Sequence, residues 1–126
     1  MDIKNKIYTI RGKQVMLDRD LAELYEVEVK YLKRQVRRNR KRFPENFCFQ
    51  LNEEEFENWR CQNVTSNSVK MGLRYLPFAF TEQGVSMLSA VLKSDKAIDM
   101  SIKIMNAFIS MKRFLNENAN VFQKFQ

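Results

Sequence analysis

The fold is decided by residues 18–42, which read DRDLAELYEVEVKYLKRQVRRNRKR. Asp18 stands where a helix N-cap belongs, and the apolar residues after it follow helical spacing. We therefore expect a first helix of about eight residues that ends near Glu26 and Val27. Because glycine is common at such a turn, Glu26 should need a left-handed or otherwise adjusted backbone there.

A second helix is predicted after this turn, over about residues 28–41. Val29, Leu32 and Val36 recur at i, i+3 and i+7 and form its apolar face. The helix must stop before Phe43, because the proline that follows disfavours helical geometry in the residue before it. Two short helices joined by a tight turn, with a strongly basic second helix, are typical of a helix-turn-helix motif.

The other face of this second helix carries cations and no acidic residue. A recognition helix in the major groove needs long donors for guanine edges and phosphates on one side, and an apolar back on the other. Basic residues also follow the helix, where they suit sequence-independent phosphate contacts, and a polar loop over residues 63–73 could act as a wing. The predicted DNA-binding residues are Lys30, Lys33, Arg34, Arg37, Arg38, Arg40, Lys41, Arg42, Lys70 and Arg74.

The formal charge of the chain is +7, from 22 basic and 15 acidic side chains. Such an excess points to a polyanionic partner, either nucleic acid or an anionic membrane surface. Residues 30–42 hold eight basic side chains and no acid, whereas a merely solvated helix normally mixes signs; a solvated face is the alternative. The chain has no histidine, which removes the usual base of hydrolytic enzymes and a common zinc ligand. We expect no enzyme activity, no cofactor and no metal.

Length and composition indicate one domain. The chain has 126 residues, 44% of them hydrophobic, and only three glycines and two prolines. Cys48 and Cys61 are not spaced as a metal-binding pair. We expect two reduced thiols in a cytoplasmic protein; a disulfide between them is the alternative, which a chain of this size and aromatic content does not need. The longest uncharged apolar stretch, residues 84–92, is too short to span a membrane, so no membrane partner is expected.

Short strands and helices are predicted for the rest of the chain. In order, they are a hairpin over residues 6–17, a strand over 46–51, a helix to about Gln62 opened by a capping box of Asn52 and Glu55, a strand over 74–80 whose Pro77 favours an edge or bulge, and a helix from Thr81 to about Lys93.

The last and longest helix should be capped by Ser94 or Asp95, with Ile98, Ile102, Met105 and Ile109 on one shared face. The predicted fold class is thus α+β: a single helix-turn-helix-containing domain with small antiparallel β elements and a long C-terminal helix. We expect the DNA-binding domain to occupy residues 1–116. Residues 117–126 form a tail that could begin a further helical segment.

Over residues 7–113 the chain resembles the ORF-six N-terminal domain family, found in phage antirepressor-like proteins and bacterial mobile elements and related to KilA-N and Bro-N domains. The likeness is carried by Ile10-Arg11-Gly12, Leu17-Asp18-Arg19-Asp20-Leu21-Ala22-Glu23-Leu24-Tyr25, Arg38-Asn39, Arg42-Phe43-Pro44, Phe49-Gln50-Leu51, Arg74-Tyr75-Leu76-Pro77-Phe78-Ala79-Phe80-Thr81-Glu82-Gln83-Gly84-Val85, Met87-Leu88-Ser89, Ala97-Ile98 and Ile104-Met105-Asn106-Ala107-Phe108. The resemblance implies an N-terminal DNA-binding module, often followed by a separate C-terminal segment. It implies no enzyme activity.

The sequence therefore predicts a sequence-specific double-stranded DNA-binding domain of a phage- or mobile-element-derived regulator. One alternative is an antirepressor-like interaction module that binds a repressor or host factor. RNA binding is a second alternative, although helical or alternating spacing places most aromatic residues inside. Because short operators are usually read by symmetric dimers, we also expect a homodimer. The interface between the two copies should be formed by the last helix and its tail, including Phe114, Leu115, Val121 and Phe122.

Overall fold

The computed structural model describes residues 2–63 and 75–124, with side chains through residue 118. The described residues form a mixed α+β fold, as predicted, with five α-helices and four strands. In chain order the elements are β1 Tyr8–Ile10, β2 Lys13–Leu17, α1 Asp18–Tyr25, α2 Val29–Arg38, β3 Cys48–Gln50, α3 Glu53–Asn63, β4 Phe78–Phe80, α4 Glu82–Leu92 and α5 Asp95–Lys124, with single 3₁₀ turns at Ile3–Lys6 and Arg40–Arg42.

The four strands form one antiparallel sheet in the order β1-β2-β4-β3. The predicted hairpin is confirmed: β1 and β2 are joined by Arg11 and Gly12, both with positive φ (56° and 71°). Two left-handed residues in a row are what a two-residue hairpin turn requires.

Strand β4 departs from the prediction of an edge or bulge, since it lies between β2 and β3. The strand begins after Pro77, so the missing proline N–H is not needed in the ladder. The Pro77 carbonyl still accepts a hydrogen bond from Leu51 N at 3.0 Å. The predicted strand over 46–51 is likewise shorter and spans only Cys48–Gln50.

The sheet separates two hydrophobic clusters. On one face, Met16 and Phe80 pack with helices α1, α2, α4 and α5. On the other face, Val15, Leu17 and Ala79 pack with α3. All three residues of β4 are buried because both faces of this strand are covered.

The sequence predicted the N-cap residue of four helices, and three of these predictions, for α3, α4 and α5, are confirmed. Asn52 and Glu55 form the reciprocal capping box, with N···O distances of 2.8 and 2.9 Å. Thr81 Oγ1 accepts from Gly84 N, and Ser94 Oγ accepts from Ala97 N. The prediction for α1 was wrong, because Asp18 is already helical and its side chain is buried inside the protein.

The long helix α5 packs one face against the core and leaves another exposed. Its buried face includes Met100, Ile104 and Phe108. The face predicted to carry Ile98, Ile102 and Ile109 together is a different side of the helix, and these three residues are exposed. Phe114 and Leu115 are exposed too, and the side chains of Val121 and Phe122 lie outside the described residues. No helix in the described ranges combines the length and the apolar character needed to cross a membrane.

Candidate nucleic-acid interface

The turn between α1 and α2 is built on Glu26. Its φ of 59° and ψ of 43° lie in the left-handed region, as the sequence predicted. Val27 N donates to Ala22 O at 2.9 Å and closes the end of α1. The turn brings α2 into contact with α1. Leu32 and Val36 of α2 are almost fully buried in the same core as Leu21, Ala22 and Leu24 of α1.

Helix α2 presents exposed cations on the side away from this core. The α-helix ends at Arg38, three residues earlier than predicted, and Asn39 caps it with a 2.8 Å bond from Nδ2 to Gln35 O. A 3₁₀ turn then carries the remaining basic residues. The exposed cations of this surface, called the basic surface below, are Lys30, Arg34, Arg37, Arg38, Arg40, Lys41 and Arg42.

Within the described part of the chain, no cation of the basic surface forms an ion pair with a carboxylate. Some basic residues elsewhere are neutralised locally, as Arg11 is by Glu55 at 2.7 Å and Lys112 by Glu82 at 2.6 Å, whereas exposed ones such as Lys4 and Lys13 have no ion pair in the described ranges but are scattered. Among the described residues, cations without a carboxylate partner are most densely grouped around α2, where a polyanion would meet them.

Lys33 differs from the other predicted DNA-binding residues. Its side chain is only 12% exposed, and its Nζ lies 3.4 Å from Asp18 Oδ2 and 3.4 Å from the carbonyl oxygen of Leu76. Asp18 is itself buried and accepts a hydrogen bond from Phe78 N at 2.9 Å. The ammonium thus joins the middle of α2 to the start of α1 and to the entry of β4.

A hollow of about 460 Å³ lies beside α2. It is lined by Val29, Lys30, Lys33, Arg34, Arg37 and Tyr75. The structure therefore brings together the four cations predicted at i, i+3, i+4 and i+7, with Lys33 at the base. Lys70 and Arg74, the predicted wing cations, lie outside the described residues, and so does the loop that carries Lys70.

Two tyrosines beside the basic surface were missed by the sequence reasoning. Tyr75 is 66% exposed in the hollow just described, and Tyr31 is 39% exposed beside Val27, Glu28 and Arg34. Tyr31 stands next to Leu32 in sequence, off the apolar stripe, and this register could have revealed its exposure. Tyr75 gave no such signal, because its exposure depends on where β4 begins.

The fold and this surface define a class: a helix-turn-helix-containing α+β domain whose second helix is exposed and strongly basic. The sequence comparison is more specific. Residues 5–91, more than half of the chain, match the ORF6N domain. The chain belongs to the ORF6N domain family, a phage-associated family, which confirms the resemblance.

The match ends before α5, so the resemblance over residues 92–113 stays a prediction, as does the division of the chain at residue 116. No curated protein and no solved structure matches the chain significantly.

Proposed function

We propose that this protein is a sequence-specific double-stranded DNA-binding domain of a phage- or mobile-element-derived regulator, with α2 in the major groove. The observation that carries the proposal is the basic surface, whose seven exposed cations have no carboxylate partner in the described residues, while Leu32 and Val36 on the other side of α2 are buried. The proposed activity is binding, without a catalytic step.

The roles of the cations follow from their positions. Lys30, Arg34 and Arg37 lie on α2 beside the hollow and are assigned to base edges. Arg38 and the cations of the 3₁₀ turn at Arg40–Arg42 are assigned to phosphates, since they stand at and beyond the helix end. The predicted wing residues Lys70 and Arg74 keep their proposed role as backbone contacts.

Lys33 receives a positioning role in this proposal. Its ammonium is held by Asp18 and Leu76, so it stabilises the placement of α2 instead of reaching a base. Because the Asp18 carboxylate compensates its charge, the attraction for phosphates is assigned to the seven cations of the basic surface.

RNA binding is a second candidate, because the exposed rings of Tyr31 and Tyr75 stand beside cations, an arrangement that suits base stacking. Duplex DNA is preferred, since the cations themselves follow a helix with an apolar back, the division that groove binding requires. Competition between duplex DNA, single-stranded DNA and RNA of the same sequence separates the two.

The decisive experiment is selection from random duplex DNA at two salt concentrations, followed by binding assays with the selected site. The test variant removes Arg34 and Arg37, and the matched control removes Lys4 and Lys13, two exposed cations outside α2. We expect the test variant to lose site preference and the control to keep it. A folded protein that shows no duplex binding at low salt, yet captures a repressor, would instead support the interaction-module alternative.

A further inference from the structure

The exposed side of α5 carries a regular apolar stripe. Ile98, Ile102 and Ile109 are 46%, 57% and 47% exposed. With the half-buried Met105 they follow one another at intervals of four, three and four residues. This spacing keeps all four side chains in one row along a helix and is the pattern of a coiled-coil seam. Three isoleucines in one exposed row are unusual for a surface that meets only water.

A hollow of about 540 Å³ runs beside this stripe, between α4 and α5. Its walls include Ser86, Ala90 and Met105. Because Ser86 and Ala90 are exposed and small, a second helix could approach the stripe closely from this side. The stripe and the hollow together form one surface, called the α5 seam below.

The charges near the α5 seam change sign along the helix. Asp95 and Asp99 lie near its beginning, where the intervening Lys96 pairs with Glu26, and Lys112 and Arg113 lie past its last isoleucine. In a parallel pair of α5 helices the acidic end of one helix would lie beside the acidic end of the other, and like charges would repel. In an antiparallel pair the acidic end of each helix meets the basic end of the other, which is the complementary arrangement.

The stripe is also self-complementary in the antiparallel direction. With the twofold axis between Lys103 and Ile104, Ile98 faces Ile109 of the second copy and Ile102 faces Met105 of the second copy. The same register brings Asp95 opposite Lys112 of the second copy. Lys112 already contacts Glu82 within its own chain but is 57% exposed, so its ammonium can serve both carboxylates.

We infer that the α5 seam binds a second copy of this chain, through antiparallel pairing of the two α5 helices about a point between Lys103 and Ile104. The α5 seam and the basic surface share no residue. The inference does not rest on the proposed function, because the pairing is measured without DNA.

Sedimentation velocity, which separates monomer from dimer, tests whether the α5 seam is the dimer interface. Ile102→Glu introduces a charge at the centre of the seam and should raise the dimer dissociation constant about tenfold or more. The matched control is Phe114→Glu, a substitution at a residue that is 56% exposed but off the stripe, and it should stay dimeric. Circular dichroism should show both variants folded, since both side chains face solvent.

Cross-linking tests the direction and the register. In a Cys61→Ser background, chains carrying Ile98→Cys are mixed with chains carrying Ile109→Cys and treated with a short bismaleimide. We expect a cross-linked dimer from the mixture and little from either chain alone. Cross-linking of Ile98→Cys chains alone at the same rate would show parallel pairing and overturn the register.

A wild-type protein that stays monomeric at tens of micromolar would overturn the seam itself. So would a dimer that Phe114→Glu dissociates and Ile102→Glu does not, since the tail of α5 would then be the interface. Each of these outcomes leaves DNA binding by the basic surface unaffected, because that binding is assayed separately.

Discussion

Lys33 Nζ lies 3.4 Å from Asp18 Oδ2, and the two side chains join α2 to α1 across the helix-turn-helix. Both are largely removed from water, at 12% and 2% exposure. Burying two charges costs free energy, which is offset when the pair stays intact and its remaining hydrogen bonds are made. Here Phe78 N and Leu76 O supply those bonds, so β4 and α2 share one polar junction.

Removing one partner of this pair should be costly. Asp18→Ala leaves a buried ammonium without its carboxylate and Phe78 N without its acceptor, so we expect a loss of about 3–5 kcal/mol in the free energy of unfolding. Urea denaturation of Asp18→Ala, Lys33→Met and the double variant measures it. The double variant should lose less than the sum of the single ones. Additive losses would mean that the two charges do not interact.

Base-reading cations should be separable from core residues of the same helix. Replacing Arg34 or Arg37 with Ala should weaken binding to the preferred site by about 1–3 kcal/mol where the side chain reads a guanine. Stability should change little, by about 1 kcal/mol at most for Arg37, whose guanidinium lies 5.8 Å from the centroid of the Phe78 ring. Leu32→Ala should instead destabilise the fold by roughly 2–5 kcal/mol, since Leu32 is fully buried. If alanine at residues 30, 34 and 37 together leaves affinity intact, α2 is not the reader.

Cations of the 3₁₀ turn should act on every sequence alike. Lys41→Ala or Arg42→Ala should lower affinity for specific and random duplexes by the same factor and reduce the slope of log affinity against log salt by about one. Titrations at four salt concentrations with both duplexes measure this. A loss confined to the preferred site would reassign the residue to base reading.

Gly84 should tolerate no side chain. A Cβ at this position would lie 1.9 Å from the backbone oxygen of Phe47, an atom that cannot move aside as a flexible side chain could. We expect Gly84→Ala to cost about 3 kcal/mol or more in thermal or urea unfolding. Ser86→Ala, on the exposed side of the same helix, is the control and should be close to neutral.

The two cysteines should differ in reactivity. Burial raises the pKa of the Cys48 thiol to about 12, and the charge of Asp18 adds to the shift. Almost no Cys48 thiolate is present at pH 8, whereas Cys61 is exposed. Iodoacetamide followed by mass spectrometry should label Cys61 in the native protein and Cys48 only after denaturation. Equal labelling rates in the native state would contradict this environment for Cys48.

The sequence was most informative where structure depends on neighbours along the chain. The α1–turn–α2 unit, the left-handed Glu26 and the capping box of Asn52 and Glu55 all follow from local spacing, and all are confirmed. Asp18 was predicted to be an N-cap, whose side chain accepts a hydrogen bond from its own helix. In the structure it accepts instead from Phe78 N, 60 residues away, and local spacing cannot reveal such a partner.

Long-range contacts also decide what the local spacing of residues leaves open. Pro77 suggested an edge strand, but the strand starts one residue later and can lie in the middle of the sheet. The sequence placed the isoleucines of α5 on one shared face, and the packing of the neighbouring helices shows that this face is exposed while Met100, Ile104 and Phe108 are buried. Spacing defines a face of a helix but does not say which neighbour it meets.

The central place of β4 has a consequence for how the chain folds. Its two neighbours, β2 and β3, precede it by about 60 and 30 residues, so neither can complete its hydrogen bonding until residues 78–80 have been synthesised. Until then β2 and β3 expose open edges, which are templates for pairing with other chains. A ribosome-bound fragment ending at residue 63 should therefore need protection from aggregation, and closure of the sheet should be a late, cooperative step.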